Sequence, residues 1–190
     1  MSSRARAAAF FLVLACGPLA CAWSRIRPET REVGGAYTVH PQIEWSGRSL
    51  GDIELWTVHG PRLEALRLTR GIGDGGRLLA GAGGSDEKVP VFRSGMSESE
   101  IAEFVADAFR RAGAARFETR GLRPAAFGGR PGFRFELDFA TPAGLEMTGL
   151  AAGTELGGKL YLILFTAPRG HYFDRNAETA ERVIESVRFR

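Results

Sequence analysis

Residues 160–166, with the sequence LYLILFT, limit the fold of this chain more than any other segment. Successive side chains of a β-strand point to opposite faces of a sheet, and in this segment both sets are apolar. One set is Leu160, Leu162 and Leu164, and the other is Tyr161, Ile163 and Phe165. A strand of this kind has to be covered on both faces. We therefore expect it in the interior of a sheet, with other elements packed on either side.

Two segments have the pattern of amphipathic helices that can supply this cover. Ser97 and Glu100 match a capping box, and apolar residues then recur at helical spacing until Gly113. Near the C-terminus, Asp174 or Asn176 is predicted to cap a second helix. The apolar stripe of that helix consists of Ala180, Val183, Ile184 and Val187.

The remaining signals are typical of short antiparallel strands separated by turns. In the segment 63–72, Leu66, Leu68 and Ile72 are predicted to share the buried face, and Arg67 to lie on the polar face. Similar segments occur at residues 37–39, 53–58, 117–119, 132–139 and 145–150. Together these segments predict an α+β domain over residues 36–190, with a mostly antiparallel sheet of about six or seven strands and helices packed on its faces.

The last thirty residues resemble a known fold. An apolar strand ending in Thr166–Pro168, then Tyr172–Asp174, a helix containing Val183 and Ile184, and a closing segment Ser186–Phe189 are similar to the C-terminal pattern of the PsbP-like fold. That fold is shared by the extrinsic photosystem protein PsbP, a Ran-binding import factor and bacterial envelope lipoproteins such as DcrB. The resemblance implies a PsbP-like sandwich, and it implies no particular reaction.

The N-terminal residues indicate export. Arg4 and Arg6 precede nine apolar residues, 7–15, and Gly17 and Pro18 follow them, which is the layout of a secretory signal peptide. The apolar run is shorter than the roughly 20 residues that a bilayer-spanning helix needs. We therefore predict that residues 1–21 comprise a signal peptide and a lipidation region.

Cys16 and Cys21 are the only cysteines, and each follows a small residue at the end of an apolar run. This arrangement resembles the lipobox of bacterial lipoproteins, in which the chain is cut before a cysteine that carries diacylglycerol and an amide-linked acyl chain such as palmitate. The lipobox prefers an aliphatic residue three positions earlier, which favours Cys16, with Val13, over Cys21, with Pro18. Arg6 leaves Cys16 only a short apolar run, so Cys21 remains the alternative.

The residues after the cysteines indicate the membrane to which the protein is sorted and a linker to the domain. Gly17 or Ala22 follows the modified cysteine, and by resemblance to Gram-negative lipoproteins the absence of aspartate there implies the outer membrane, facing the periplasm. Residues 22–35 have neither helical nor strand periodicity, so we predict a tether to the domain. Because no cysteine follows Cys21, the domain is expected to fold without disulfides and to use no thiolate nucleophile.

The charge balance argues against a nucleic-acid partner. The chain has 25 basic and 22 acidic residues, and two of the basic ones, Arg4 and Arg6, belong to the predicted signal. Only Lys88 and Lys159 are lysines, and the arginines alternate with acidic residues along the strands and helices. Nucleic acids need a basic stripe to follow, and the sequence contains none.

Gly71, Gly73 and Gly76 have the spacing of a dinucleotide-binding fingerprint. That motif requires the glycine loop to open a helix whose N-terminus receives the pyrophosphate. Here more glycines follow, so we interpret residues 73–88 as a hairpin excursion and predict no cofactor.

Three histidines are the candidates for acid–base or metal chemistry. His40, His59 and His171 each lie at the end of a strand or loop, but no two have the spacing of a zinc site. A nucleophilic serine in a Gly-x-Ser-x-Gly elbow is also absent from the sequence. A pairing of His40 or His59 with Glu44 or Glu54 remains an alternative. We predict a non-enzymatic protein with no catalytic or metal-binding residues.

Aromatic residues offer one other kind of site. An apolar ligand pocket beneath a movable helix is predicted to use Phe133, Phe135, Phe139, Tyr161 and Phe165. The alternative, which we favour, is that these side chains fill the core of a chain with 13 phenylalanines.

Three functional hypotheses follow. We favour a protein-interaction or assembly module of the cell envelope, held to the membrane by its N-terminal lipid and binding an envelope protein that the sequence does not identify. The first alternative is a carrier or sensor of a small apolar or lipid ligand. The second is a hydrolase or metal-dependent enzyme whose site the sequence does not reveal.

Overall fold

The structure is a computed structural model that describes residues 23–79 and 89–190. The predicted signal peptide and both cysteines lie outside the described residues. The described elements are β1 (Ser24–Ile26), β2 (Arg31–Val33), β3 (Tyr37–Val39), β4 (Trp45–Leu50), β5 (Ile53–Thr57), β6 (Ala65–Thr69), α1 (Glu98–Arg111), β7 (Ala115–Phe127), β8 (Arg130–Ala140), β9 (Glu146–Leu156), β10 (Lys159–Pro168), α2 (His171–Glu185) and β11 (Arg188–Phe189). Neither helix is long and apolar enough to cross a bilayer.

An antiparallel sheet of eight strands forms the centre of the domain. Its order is β1-β4-β5-β6-β10-β9-β8-β7, and a smaller sheet has the order β11-β3-β2. The α+β class and the antiparallel pairing are confirmed, whereas the large sheet has more strands than the six or seven predicted. β10 pairs with β6 and β9, and it is buried from Leu160 to Pro168. The interior position predicted for this strand is therefore confirmed.

Two apolar clusters lie on opposite faces of the large sheet. Leu160, Leu162 and Leu164 face the cluster that includes the buried side of α1. Ile163 and Phe165 face the cluster that includes α2 and the small sheet. The side chains of β10 thus contribute alternately to two separate cores, because each face of the strand is covered by a different layer.

α1 follows its sequence signals closely. The hydroxyl of Ser97 accepts a hydrogen bond from the backbone N–H of Glu100, and the Glu100 carboxylate accepts one from the backbone N–H of Ser97 at 2.8 Å. This reciprocal pair is the predicted capping box. The apolar stripe beyond it is buried at Ile101, Phe104, Val105, Ala108 and Phe109, among others.

α2 begins earlier than predicted. Its N-cap is Gly170, with φ of 85° and no side-chain hydrogen bond, so the caps predicted at Asp174 or Asn176 are wrong. Asp174 lies in the first turn, where a carboxylate interacts favourably with the helix dipole. Asn176 is buried instead and donates a hydrogen bond to Glu64. The stripe is confirmed, because Ala180, Val183 and Ile184 are buried with Val187.

The tether predicted over residues 22–35 is wrong for the part that the structure describes. β1 pairs with β4 at one edge of the large sheet, with Ile26 opposite Trp45, and β2 pairs with β3. Ile26 and Val33 are both buried. These two apolar residues are too far apart to produce a local period, although each one fills a position in the core.

Gly71 explains a second difference between the sequence prediction and the structure. Leu66 and Leu68 belong to the α2 side of the sheet, whereas Ile72 belongs to the α1 side, so the shared face predicted for the three residues is wrong. Gly71 has φ of 104°, and a Cβ at this position would lie 2.9 Å from the Tyr161 ring. The chain changes face at a position that favours glycine for both reasons.

Candidate functional site

The histidines do not form the carboxylate pairs that the sequence left open. Glu44 pairs with Arg25, and Glu54 is buried against Arg31, Arg70 and the indole N–H of Trp56. The His40 ring accepts a hydrogen bond from the backbone N–H of Gln42, and His171 opens α2. Within residues 23–79 and 89–190, no group of three or more histidine or acidic side chains is placed to hold a metal ion.

His59 does meet a carboxylate, but that carboxylate belongs to Glu64. One oxygen of Glu64 accepts hydrogen bonds from the backbone N–H groups of Val58 and His59, both at 2.8 Å, and lies 3.0 Å from Nδ1 of His59. The other oxygen accepts a hydrogen bond from Asn176 of α2. Glu64 is 1% exposed. The group therefore ties the β5–β6 loop to α2 through a carboxylate whose two oxygens are both hydrogen-bonded.

The five aromatic residues predicted to line a pocket are divided between the two cores. Phe133, Phe135 and Phe139 lie on the α1 side of the sheet, whereas Tyr161 and Phe165 lie on the α2 side. The structure thus does not bring the five together around one cavity. All five are buried in these cores, and Phe139 also lines a groove.

That groove lies where the C-terminal end of α1 meets the β5–β6 loop and the turn between β8 and β9. Its volume is about 440 Å³. We call it the α1 groove, and define it by Arg62, Arg67, Phe109, Phe139, Leu145 and Met147. Phe109, Phe139 and Met147 are core residues whose edges form the wall, and Leu145 is an exposed residue at the rim.

Arg67 is a charged residue that lines the interior of the α1 groove. It lies in β6, and because its neighbours Leu66 and Leu68 face the α2 side, its side chain extends on the α1 side. Nη1 donates a hydrogen bond to the hydroxyl of Thr166 at 3.1 Å, and the guanidinium carbon lies 5.7 Å from the centre of the Phe109 ring. Among the described residues, no carboxylate forms an ion pair with it.

The half-buried position of Arg67 affects its ionisation. Burial lowers the pKa of Arg67 to about 10, because the charged form loses water and the part of the chain that the structure describes offers it no acidic partner. The guanidinium nevertheless stays protonated near neutral pH. The α1 groove therefore holds a positive charge beside an apolar wall, an arrangement that attracts anions more strongly than an exposed arginine does.

Sequence reasoning missed Arg67, although a signal was available. Arg67 occupies the middle of an apolar strand, and the period-two pattern assigned it to a solvent-facing side. β6 pairs with β10, which is apolar at both parities, and a neighbour of such a strand is also expected to be covered on both faces. An arginine in that position is unusual, because isolated charges are rarely placed inside a sheet sandwich.

A second groove, on the α2 side, has a different charge distribution. It has a volume of about 400 Å³ and contains Arg120, Asp138 and Arg169. Asp138 forms ion pairs with both arginines, and Arg134 pairs with Glu181 nearby. Besides these two arginines the groove is lined by four carboxylates, those of Glu136, Asp138, Asp174 and Glu181, so its lining is net acidic. The described residues that line the α1 groove instead include two arginines and no carboxylate.

Comparison with known proteins is informative at the level of the fold. No protein-family description and no curated protein matches the sequence. The solution structure of cyanobacterial PsbP (CyanoP) from Synechocystis sp. PCC 6803 is similar, with a TM-score of 0.55 and 14% sequence identity. The similarity covers 94% of this chain and 99% of that chain. The domain therefore has a PsbP-like fold.

Proposed function

We propose that this chain is a periplasmic lipoprotein, anchored in the outer membrane by an N-terminal lipid, that works without catalysis as a protein-interaction or assembly module of the cell envelope. The observation that carries the proposal is the order Arg4, Arg6, an apolar run and then Cys16 or Cys21, ahead of a PsbP-like domain. The layout is that of a lipoprotein signal, and two or more acyl chains hold a protein to a bilayer durably.

The partners of the buried polar groups support a role without catalysis. General acid–base catalysis needs a titratable group within reach of a substrate proton. Glu64 is enclosed by hydrogen bonds from the β5–β6 loop and α2, and Glu54 by two arginines and an indole. These carboxylates hold elements of the fold together and are not directed at a substrate.

The anchoring proposal is tested by metabolic labelling with radioactive palmitate in cells that express the full chain. We expect the wild-type chain and Cys21→Ser to incorporate label, and Cys16→Ser to lose it. Label on Cys16→Ser and none on Cys21→Ser would move the site to Cys21. Label that persists in the double variant, or an unlabelled wild-type chain, would contradict the lipoprotein proposal.

The interaction proposal is tested by crosslinking in intact cells. A photoreactive amino acid at Leu122, an exposed residue of the edge strand β7, is expected to join the chain to one reproducible envelope protein. The same group at the exposed Glu178 of α2 is the matched control for random collisions. Adducts that vary between experiments, or that are identical at both positions, would contradict a specific interaction at this edge.

The α1 groove favours a second candidate function, which is a carrier or sensor of an apolar ligand. It differs from the aromatic pocket predicted from sequence, because it shares with that pocket only Phe139. Its combination of an apolar wall with Arg67 selects among the ligands that such a protein can bind.

A further inference from the structure

The charges of the α1 groove indicate the sign of the charge on its ligand. Arg62 lies at the exposed rim and Arg67 in the interior, and none of the described residues that line the groove is acidic. A guanidinium has five N–H donors, and the described contacts of Arg67 include one hydrogen bond, to Thr166. Donors therefore remain for an anion, and planar carboxylates match the fork geometry of this group.

The wall of the groove indicates the rest of the ligand. Phe109, Phe139 and Met147 present apolar surface next to Arg67, and Leu145 extends the surface to the rim. The volume of about 440 Å³ lies in the range of small-molecule sites. A ligand that fills the groove must place its charge at one end and its apolar part along this wall.

The backbone around the groove argues against a peptide ligand. In the β8–β9 turn, the N–H of Thr141 donates to the carbonyl of Leu145, and the N–H of Leu145 donates to the hydroxyl of Thr141. At the end of α1, the N–H of Ala114 donates to the carbonyl of Phe109. A bound peptide would bury its own amides against groups that already have partners, at a cost of about 1–3 kcal/mol for each unpaired amide. An acyl chain has no such groups.

We propose that the α1 groove binds a long-chain fatty acid, with its carboxylate paired to Arg67 and its acyl chain along Phe109, Phe139 and Met147. The occupant is a free monoanionic amphipath, and the site does not depend on whether the chain itself is lipidated. The proposal thus goes beyond an anchored interaction module and assigns a ligand class to a specific cavity.

The test uses the purified full-length chain carrying Cys16→Ser and Cys21→Ser, so that no acyl group of its own competes for the groove. The probe is 11-(dansylamino)undecanoic acid, whose fluorescence rises in apolar surroundings, and it is displaced with palmitic acid or with 1-hexadecanol. We expect palmitic acid to bind at least about tenfold more tightly than the alcohol, because a hydrogen-bonded ion pair at Arg67 is lost with the alcohol.

Variants distinguish the contribution of the Arg67 charge to binding from that of the cavity. Arg67→Gln is expected to remove the preference for the acid over the alcohol, and Arg67→Lys to retain part of it. Ala112→Trp, at an exposed position of the lining, is expected to weaken both ligands by filling the groove. Arg169→Gln, in the net acidic groove on the other face, is the matched control and is expected to bind like the parent chain.

Three outcomes would overturn the proposal. They are a parent chain that does not bind the probe, a preference for the acid that survives Arg67→Gln, and weakened binding in Arg169→Gln equal to that in Arg67→Gln. Circular dichroism of each variant checks that it is folded. If Arg67→Gln unfolds, Arg67→Lys and Ala112→Trp still decide the question, because one alters the charged group and the other the cavity. These results are independent of palmitate labelling, so a failure here leaves the anchoring proposal standing.

Discussion

Arg67 shows how one residue reduces the stability of the domain in which it lies. A cation taken from water without an acidic partner costs free energy, and hydrogen bonding to one hydroxyl recovers part of it. The pKa of Arg67 in the folded chain, about 10, lies below the ordinary value of an arginine, so the unfolded chain binds the proton more tightly than the folded chain. This cost is fully present below about pH 10, and it is relieved as the pH rises above that value.

We predict that Arg67→Met raises the free energy of unfolding by on the order of 1–2 kcal/mol, because an apolar chain of similar length replaces the desolvated charge. Urea denaturation near neutral pH measures the change. Arg169→Met removes an exposed member of an ion pair and is expected to stay within about 0.5 kcal/mol of the wild type. A destabilised Arg67→Met would show that the contacts with Thr166 and Phe109 outweigh the desolvation cost.

Glu64 illustrates the opposite case, a buried charge that holds the fold together. Glutamine has the same shape but only one acceptor oxygen, and its amide group would face Asn176 or the N–H groups of Val58 and His59. We predict that Glu64→Gln lowers the free energy of unfolding by on the order of 2 kcal/mol. Glu136→Gln, at an exposed position of β8, is the control and should change it by less than about 0.5 kcal/mol in the same denaturation experiment.

At the scale of elements, the two helices differ in how far local sequence determines their ends. The start of α1 was predictable because Ser97 and Glu100 form their hydrogen bonds within four residues of each other. The start of α2 was not, since Gly170 offers no capping side chain and Asn176 bonds to a residue 112 positions away. Local chemistry is visible in sequence, whereas a partner brought by tertiary folding is not.

The same contrast applies to strands. β10 was predictable because both of its faces are apolar, and that property belongs to the strand itself. The orientation of Arg67 in β6 depended on its neighbour, because β10 lies beside it only in the folded sheet. β4 was not predictable for a similar reason. A Cβ at Gly47 of β4 would lie 2.8 Å from the side chain of Ile26, so the need for glycine depends on β1, which lies beside β4 only in the folded sheet.

For α1 we predict that Ser97→Ala lowers the free energy of unfolding by about 1 kcal/mol, since it removes the cap. Ser99→Ala, two residues further on and outside the capping box, should have little effect in the same thermal or urea denaturation. Equal losses from both variants would show that the box contributes nothing.

The effect of Ser97→Ala should also depend on pH. Hydrogen bonds from the backbone N–H and the hydroxyl of Ser97 lower the pKa of Glu100 below its ordinary value of 4.5. The contribution of the carboxylate is therefore present above pH 4.5, and it is lost as the pH falls through the lowered pKa of the folded state. The difference in the free energy of unfolding between Ser97→Ala and the wild type should therefore become smaller in acid.

At the scale of the whole molecule, one sheet separates two cores, and the N-terminal strands belong to one of them. Ile26 and Val33 pack in the α2-side cluster with Trp45, Trp56 and Tyr37. The boundary predicted at residue 36 left both residues outside the domain. A three-residue strand with a single buried residue is too short to show a period, so neither β1 nor β2 was predictable from the sequence pattern.

We predict that a chain shortened to begin at residue 36 unfolds at a markedly lower temperature than one that begins at residue 23. The loss of β1 and β2 exposes the α2-side cluster. Val33→Ala isolates part of the effect and is expected to cost on the order of 1–2 kcal/mol, because Val33 is fully buried. Thr38→Ala, at a half-buried position of β3 in the same sheet, is the comparison. Equal thermal stability of the two shortened chains would contradict the assignment of β1 and β2 to the domain.

The position of β1 has a consequence for where a lipid-anchored chain can act. β1 begins at Ser24, and an extended chain spans at most about 3.5 Å per residue. A lipid on Cys16 leaves seven residues, 17–23, or at most about 25 Å, and a lipid on Cys21 leaves residues 22 and 23, or about 7 Å. A domain of this size is roughly 40 Å across, so a lipid on either cysteine would hold its β1 edge within about 25 Å of the headgroups, less than one domain diameter. A chain anchored in this way would reach at most about 65 Å from the membrane surface, so its partners would be molecules in that membrane or close to its surface.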